Sequence, residues 1–252
     1  MSITIRTCSL FASALILSGC ATAPVLEQRL GQVLPDDASA IYNPGGDTVM
    51  LRKGGASIVL PKTTATSTAS VFRNGGLTSA AFYMKTVSGK GKVIAFSSED
   101  TDLGLVGTIA SRDGGVTLPA SGTAAFNGGY NGLLVRASNK APLGIIEGTT
   151  CLTASFGAAP SISGVIKNRN SGPFNDVVIP STSLSAGGVF SGAVTGGESP
   201  SGTSSNGQVS GMFADVGAGE IVGALKLDHN ISGTDYYEVG GFTTVAGAGP
   251  CP

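Results

Sequence analysis

The chain holds one histidine, His229, and it is the natural starting point in a search for catalysis. It stands in Lys226-Leu227-Asp228-His229-Asn230, beside a carboxylate that could orient an imidazole acting as general base. Neighbouring residues of a strand point to opposite faces, however, so Asp228 would not face that ring. His229 is expected at the surface, at a strand end just before Gly233. With no second histidine, a haem or metal role has no companion ligand. Carboxylates offer no more. Glu99, Asp100 and Asp102 fall in Ser-Ser-Glu-Asp-Thr-Asp, which reads as a solvated turn rather than the facing pair of glycosidase chemistry, and its spacing fits no EF-hand loop. Gly217-Ala218-Gly219-Glu220 lacks the Lys-Ser/Thr and the helix of a phosphate cradle. The sequence therefore assigns no catalytic residue, no metal ligand and no cofactor. Tyr236 and Tyr237 are left as candidate ligand-binding residues, because tyrosines are common recognition hot spots. The plainer reading puts one of these rings inward and the other outward.

The cysteines carry more information. Cys20 ends Leu17-Ser18-Gly19-Cys20, behind Arg6 and the apolar run 10–17. That run is well short of the ~20 residues needed to span a bilayer, so it reads as a signal peptide. The tetrapeptide resembles the lipobox of bacterial lipoproteins, cut before the cysteine and lipidated on its thiol. The resemblance implies a signal peptide over 1–19, lipidation at Cys20, and a membrane partner reached through the lipid. Several acyl chains, at ~0.8 kcal/mol per buried methylene, would make that anchor stable. Ala21 after the cysteine fits outer-membrane sorting. Cys8 leaves with the leader. Cys151 and Cys251 remain as a candidate disulfide in an exported protein, with two free thiols as the alternative. The bridge would close a loop of about 100 residues, contributing up to ~4–5 kcal/mol in the chain-entropy picture.

Composition narrows the class. The formal net charge is −1 and only 12% of residues are charged, so nothing is available to neutralise a row of phosphates, and nucleic acid is excluded as a partner. The 39 glycines, with abundant Ser, Thr and Ala, give poor helix propensity. Low charge at this apolar content also argues against disorder.

Four regions follow along the chain: the leader 1–19, a lipid-anchored tether 20–40, a small β-rich module 41–119, and a β-domain 120–252. In the tether, VLEQRLGQVL carries a weak apolar stripe and could form a short helix. Strands are expected at 48–52, 56–60, 80–87, 92–97 and 103–111, with Lys53-Gly54-Gly55 as a hairpin turn. In the second half they are expected at 122–135, 152–156, 162–167, 188–194, 207–213, 220–228 and 236–245. Ala124, Phe126, Gly128, Tyr130, Gly132 and Leu134 share one face of the first of these, where bare glycine backbone lets bulky neighbours pack close. Short strands at regular spacing indicate an antiparallel sandwich or barrel, and closure into a barrel suits a chain with few edge-guarding charges.

These segments resemble a known family. GTAAFNGGYNGLLV (122–135) resembles the opening strand of the eight-stranded barrel in transferrin-binding protein B lobes. LTASFGAAPSISGVIKN (152–168), GGVFSGAV (187–194) and QVSGMFADVGAGEIVGALKL (208–227) resemble its later signatures, in the same order. Factor-H-binding lipoproteins share that barrel. The resemblance implies an all-β fold: an eight-stranded antiparallel β-barrel preceded by a small handle-like module. It also implies a non-enzymatic, outer-membrane, cell-surface lipoprotein that binds a protein or an iron- or haem-linked ligand through its loops. A structural or adhesive envelope lipoprotein without a soluble ligand is the alternative.

Overall fold

The computed structural model describes residues 25–169, 174–198 and 202–247, all strand, turn or loop. The leader, Cys20 and Cys251 lie outside these residues. Eight strands form the first half: β1 Val25–Val33, β2 Ser39–Asn43, β3 Thr48–Lys53, β4 Ala56–Ala65, β5 Ser70–Arg73, β6 Ser79–Lys85, β7 Gly91–Ser98 and β8 Val106–Asp113. They make one antiparallel sheet in the order β1-β8-β7-β6-β5-β4-β3-β2, which curls on itself without closing. The second half is β9 Gly122–Arg136, β10 Pro142–Phe156, β11 Ser161–Lys167, β12 Val177–Ser183, β13 Val189–Gly196, β14 Gly202–Phe213, β15 Glu220–Ile231 and β16 Thr234–Ala246. These close into an eight-stranded antiparallel barrel when β16 pairs with β9. The expected all-β architecture, module and barrel, is the one observed.

Turn chemistry fixes the registers. Gly54-Gly55 joins β3 to β4 as expected, with Gly54 at φ 56°. Between β15 and β16, Ser232 and Gly233 both take positive φ, 51° and 81°, as a type I′ hairpin requires. Two local expectations fail. The segment expected as a short helix in the tether is strand β1, paired along its length with β8, because Leu26 and Leu30 gain a buried surface there that an isolated helix would lack. Strands β2, β5 and β12 were not expected; in β12, Pro180 interrupts the run and the Ser-Thr-Ser end is polar.

Inside the barrel, Phe126, Leu152, Phe190, Phe213, Leu225 and Phe242 form an apolar core. Phe242 lies across Gly223, where an added Cβ would fall 2.2 Å from the ring. A second core joins the two halves: Phe82, Met84, Val93 and Val106 of the curled sheet pack on Leu133, Val135, Val222 and Val239 on the barrel's outer face. β15 and β16 are thus buried on both sides.

Candidate functional site

One end of the barrel interior is not apolar. Four side chains meet there in a buried hydrogen-bonded cluster: Tyr130 from β9, Glu238 from β16, His229 from β15, and Arg169 just after β11. Period-two alternation places them. Glu238 shares its strand face with Phe242, and His229 shares one with Leu225 and Leu227, all inward. The Glu238 carboxylate accepts from the Tyr130 hydroxyl at 2.5 Å, from the Arg169 guanidinium, and interacts with His229 Nε2 at 3.0 Å. The side chains of Arg169, Glu238 and His229 are all 0% exposed.

Arg169 is the hub. Its Nη1 donates to the carbonyls of Asn175 and Gly197, both at 2.9 Å, so it ties the β11–β12 and β13–β14 connections to the barrel wall. Phe174 lies against its guanidinium at 4.9 Å and tilts over His229 at 5.3 Å. Asn175 in turn bonds Glu198 through both backbone, at 2.8 Å, and side chain, at 3.1 Å. Gly197 is required here: its φ is 85°, and a Cβ would meet Leu227, Val177 and Arg169 within 3.3 Å.

The electrostatics follow from this packing. Burial opposes ionisation of Glu238, but the Arg169 charge and the His229 and Tyr130 contacts outweigh it, and its carboxyl lies below the usual range. Burial and the adjacent Glu238 charge push the Tyr130 phenol far up, so it stays a donor. His229 Nδ1 and Arg169 Nε are buried without hydrogen-bond partners among the described residues. The cluster ties Asn175 and Gly197 to the barrel wall, with a carboxylate, a guanidinium, a phenol and an imidazole bonded together. Among the described residues, no three His, Cys, Asp or Glu side chains converge to hold a metal.

The placement of His229 corrects the surface expectation. Strand β15 runs on to Ile231, past the point where the sequence suggested a turn, so its inward face carries His229 to Glu238. Asp228 points the other way, toward Lys226 at 3.5 Å, as the alternation required. Tyr236 sits opposite His229 and Arg136 across the ladder, and Tyr237 packs on the core between sheet and barrel; among the described residues neither has a hydrogen bond to the cluster. Asp100 caps its own turn by accepting from the Asp102 and Leu103 amides at 2.9 and 3.3 Å, and Asn139 donates to Glu99 at 3.0 Å. Cys151 is buried on β10. Arg169 and Glu238 were missed. Glu238 was legible as a charge in phase with Gly240 and Phe242; Arg169, in a connection, carries no such signal.

No protein-family model matches the chain, and no curated protein matches it. Solved structures do. A point mutant of transferrin-binding protein B from Haemophilus parasuis, described as a vaccine antigen, has a TM-score of 0.50 and 13% identity, over 88% of this chain and 45% of its own. The intact protein designated Ap transferrin-binding protein B, with N and C lobes, gives 0.48 and 16% over 88% and 46%. This chain spans about half the length of the proteins it resembles. Its curled sheet and closed barrel make up a transferrin-binding protein B-like fold.

Proposed function

We propose that this protein is a non-enzymatic lipoprotein, held by a lipid on Cys20 at the outer membrane and displayed at the cell surface, that binds a protein or an iron- or haem-linked ligand through the loops at the Arg169 end of its barrel. The observation that carries the reading is the clamp. A guanidinium with no exposure ties Asn175 and Gly197, one in each of two neighbouring connections, to the barrel wall, and such anchoring would lower the entropic cost of association at this end. The fold supports it, since the structures it resembles are named for binding transferrin. The leader motif supports the anchor, and the Cys151–Cys251 bridge would fasten the chain terminus to β10 in an oxidising compartment.

Two experiments test this reading. Protease treatment of intact cells should degrade the protein; complete protection would sink surface display. The purified protein, offered iron-carrier proteins and haem, should capture one of them saturably. Failure with every ligand would favour the structural or adhesive alternative.

A further inference from the structure

The curled sheet carries a lined groove on the face turned away from the barrel. Two registered rows run across β1, β8, β7 and β6. One row is Arg29, Ile109, Ile94 and Tyr83; the next is Glu27, Ser111, Lys92 and Lys85. The far edge strand, β2, folds Tyr42 over this floor, stacking it on Tyr83 with ring centroids 4.2 Å apart and planes 17° apart. The Tyr42 hydroxyl is anchored outward, donating to Asp47 at 3.0 Å, so the ring is fixed. Between β2 and the floor lies a groove of about 450 Å³, apolar within and flanked by Lys85 and Lys92. That volume lies in the usual range of small-molecule sites, about 300–1,000 Å³.

Its polar groups are unevenly satisfied. Lys92 is paired with Asp113 at 2.6 Å. Lys85 is exposed and has no ion pair among the described residues, and the Tyr83 hydroxyl makes no hydrogen bond among them. Burial, with Tyr42 and Asp113 nearby, raises the Tyr83 phenol above its ordinary value, so it remains a donor at neutral pH. Ile41 lines the groove while 44% exposed, an apolar side chain left uncovered. Glu27 also lines the groove, at its β1 end, three strands along the row from Lys85, so the positive and negative ends of the groove are separated. An anion with an apolar body matches this distribution: apolar floor, aromatic wall, one free ammonium and one free phenol at the rim.

We propose that this groove binds a single-chain carboxylate amphiphile, with the chain on Ile94, Ile109 and the Tyr42–Tyr83 pair and the carboxylate on Lys85 and the Tyr83 hydroxyl. The site is on the curled sheet, away from the Arg169 loops, and it stands or falls independently of the protein-ligand reading. The test uses the full chain carrying Cys20→Ala, so that no lipid or detergent competes, titrated calorimetrically with decanoate below its micelle concentration. Saturable binding is expected, with the Tyr42 and Tyr83 ring resonances shifting in NMR spectra. Lys85→Glu, at an exposed position, should weaken decanoate about tenfold while leaving decanol little changed. No saturable binding, undiminished affinity in Lys85→Glu, or a preference for decyltrimethylammonium over decanoate would each overturn the proposal.

Discussion

Glu238 is the residue on which the barrel end depends. Without its charge, Arg169 is left buried and unpaired, which typically costs about 3–5 kcal/mol. Glu238→Gln should therefore lower the urea midpoint sharply. Tyr130→Phe removes only one hydrogen bond to a charged group and should cost about 1.5–3 kcal/mol. The pH dependence follows from the direction of the Glu238 shift. Its carboxyl is depressed in the folded state, so the stability it contributes is present above the unfolded carboxylate value and is lost as pH falls through the folded one. Acid unfolding should be steeper in the natural protein than in Glu238→Gln, as measured by circular dichroism between neutral pH and the acid range. The sequence hid this cluster because Thr-Asp-Tyr-Tyr-Glu reads as an exposed strand end, and a lone histidine beside an aspartate reads as a turn. Counting by twos back from Phe242 and on from Leu227 would have placed Glu238 and His229 on the same inward surface.

At the scale of elements, the barrel depends on aromatic rings lying on bare backbone. Phe242 over Gly223 and Tyr130 over Gly240 leave no room for a methyl group: a Cβ at either glycine falls 2.2 Å from the ring or its hydroxyl. Gly223→Ala and Gly240→Ala should each cost about 1–3 kcal/mol by overpacking, read as a lower midpoint with an unchanged m-value. This texture was legible as alternating aromatic and small residues in the first barrel strand. Strand β12 was not, for a reason that has its own consequence. Pro180 removes a donor, and β12 pairs with β13 only through Val177↔Gly196 and Val178↔Thr195. The β12–β13 seam should show the fastest amide exchange of any barrel ladder, whereas β15, paired along both edges and buried on both faces, should be among the slowest.

For the whole molecule, the sheet and the barrel share a core, so they should unfold together. Phe82 is fully buried at that junction, and Phe82→Ala should cost about 3–5 kcal/mol. Probes in the barrel and in the curled sheet should lose structure at one midpoint. Polar contacts reinforce the junction: Ser88 bonds Glu220 through its amide at 2.8 Å and its hydroxyl at 2.5 Å, and Arg112 donates to the Phe213 carbonyl at 2.9 Å. The sequence showed a module followed by a barrel, but not that they dock. Both faces of 220–228 are apolar at its start, which period two reads simply as a strand, and only the partner sheet shows why Val222 and Ala224 are apolar too.

In the proposed function, the Arg169 clamp holds a binding surface. The most direct test is surface interferometry of the Cys20→Ala protein against iron-carrier proteins and haem, repeated with Arg169→Lys. Lysine keeps the charge but cannot reach two carbonyls and a carboxylate as the guanidinium fork does. Saturable binding of one ligand is expected, weakened about tenfold or more by Arg169→Lys with the fold retained. Equal binding by both proteins, or binding of no ligand by either, would contradict it.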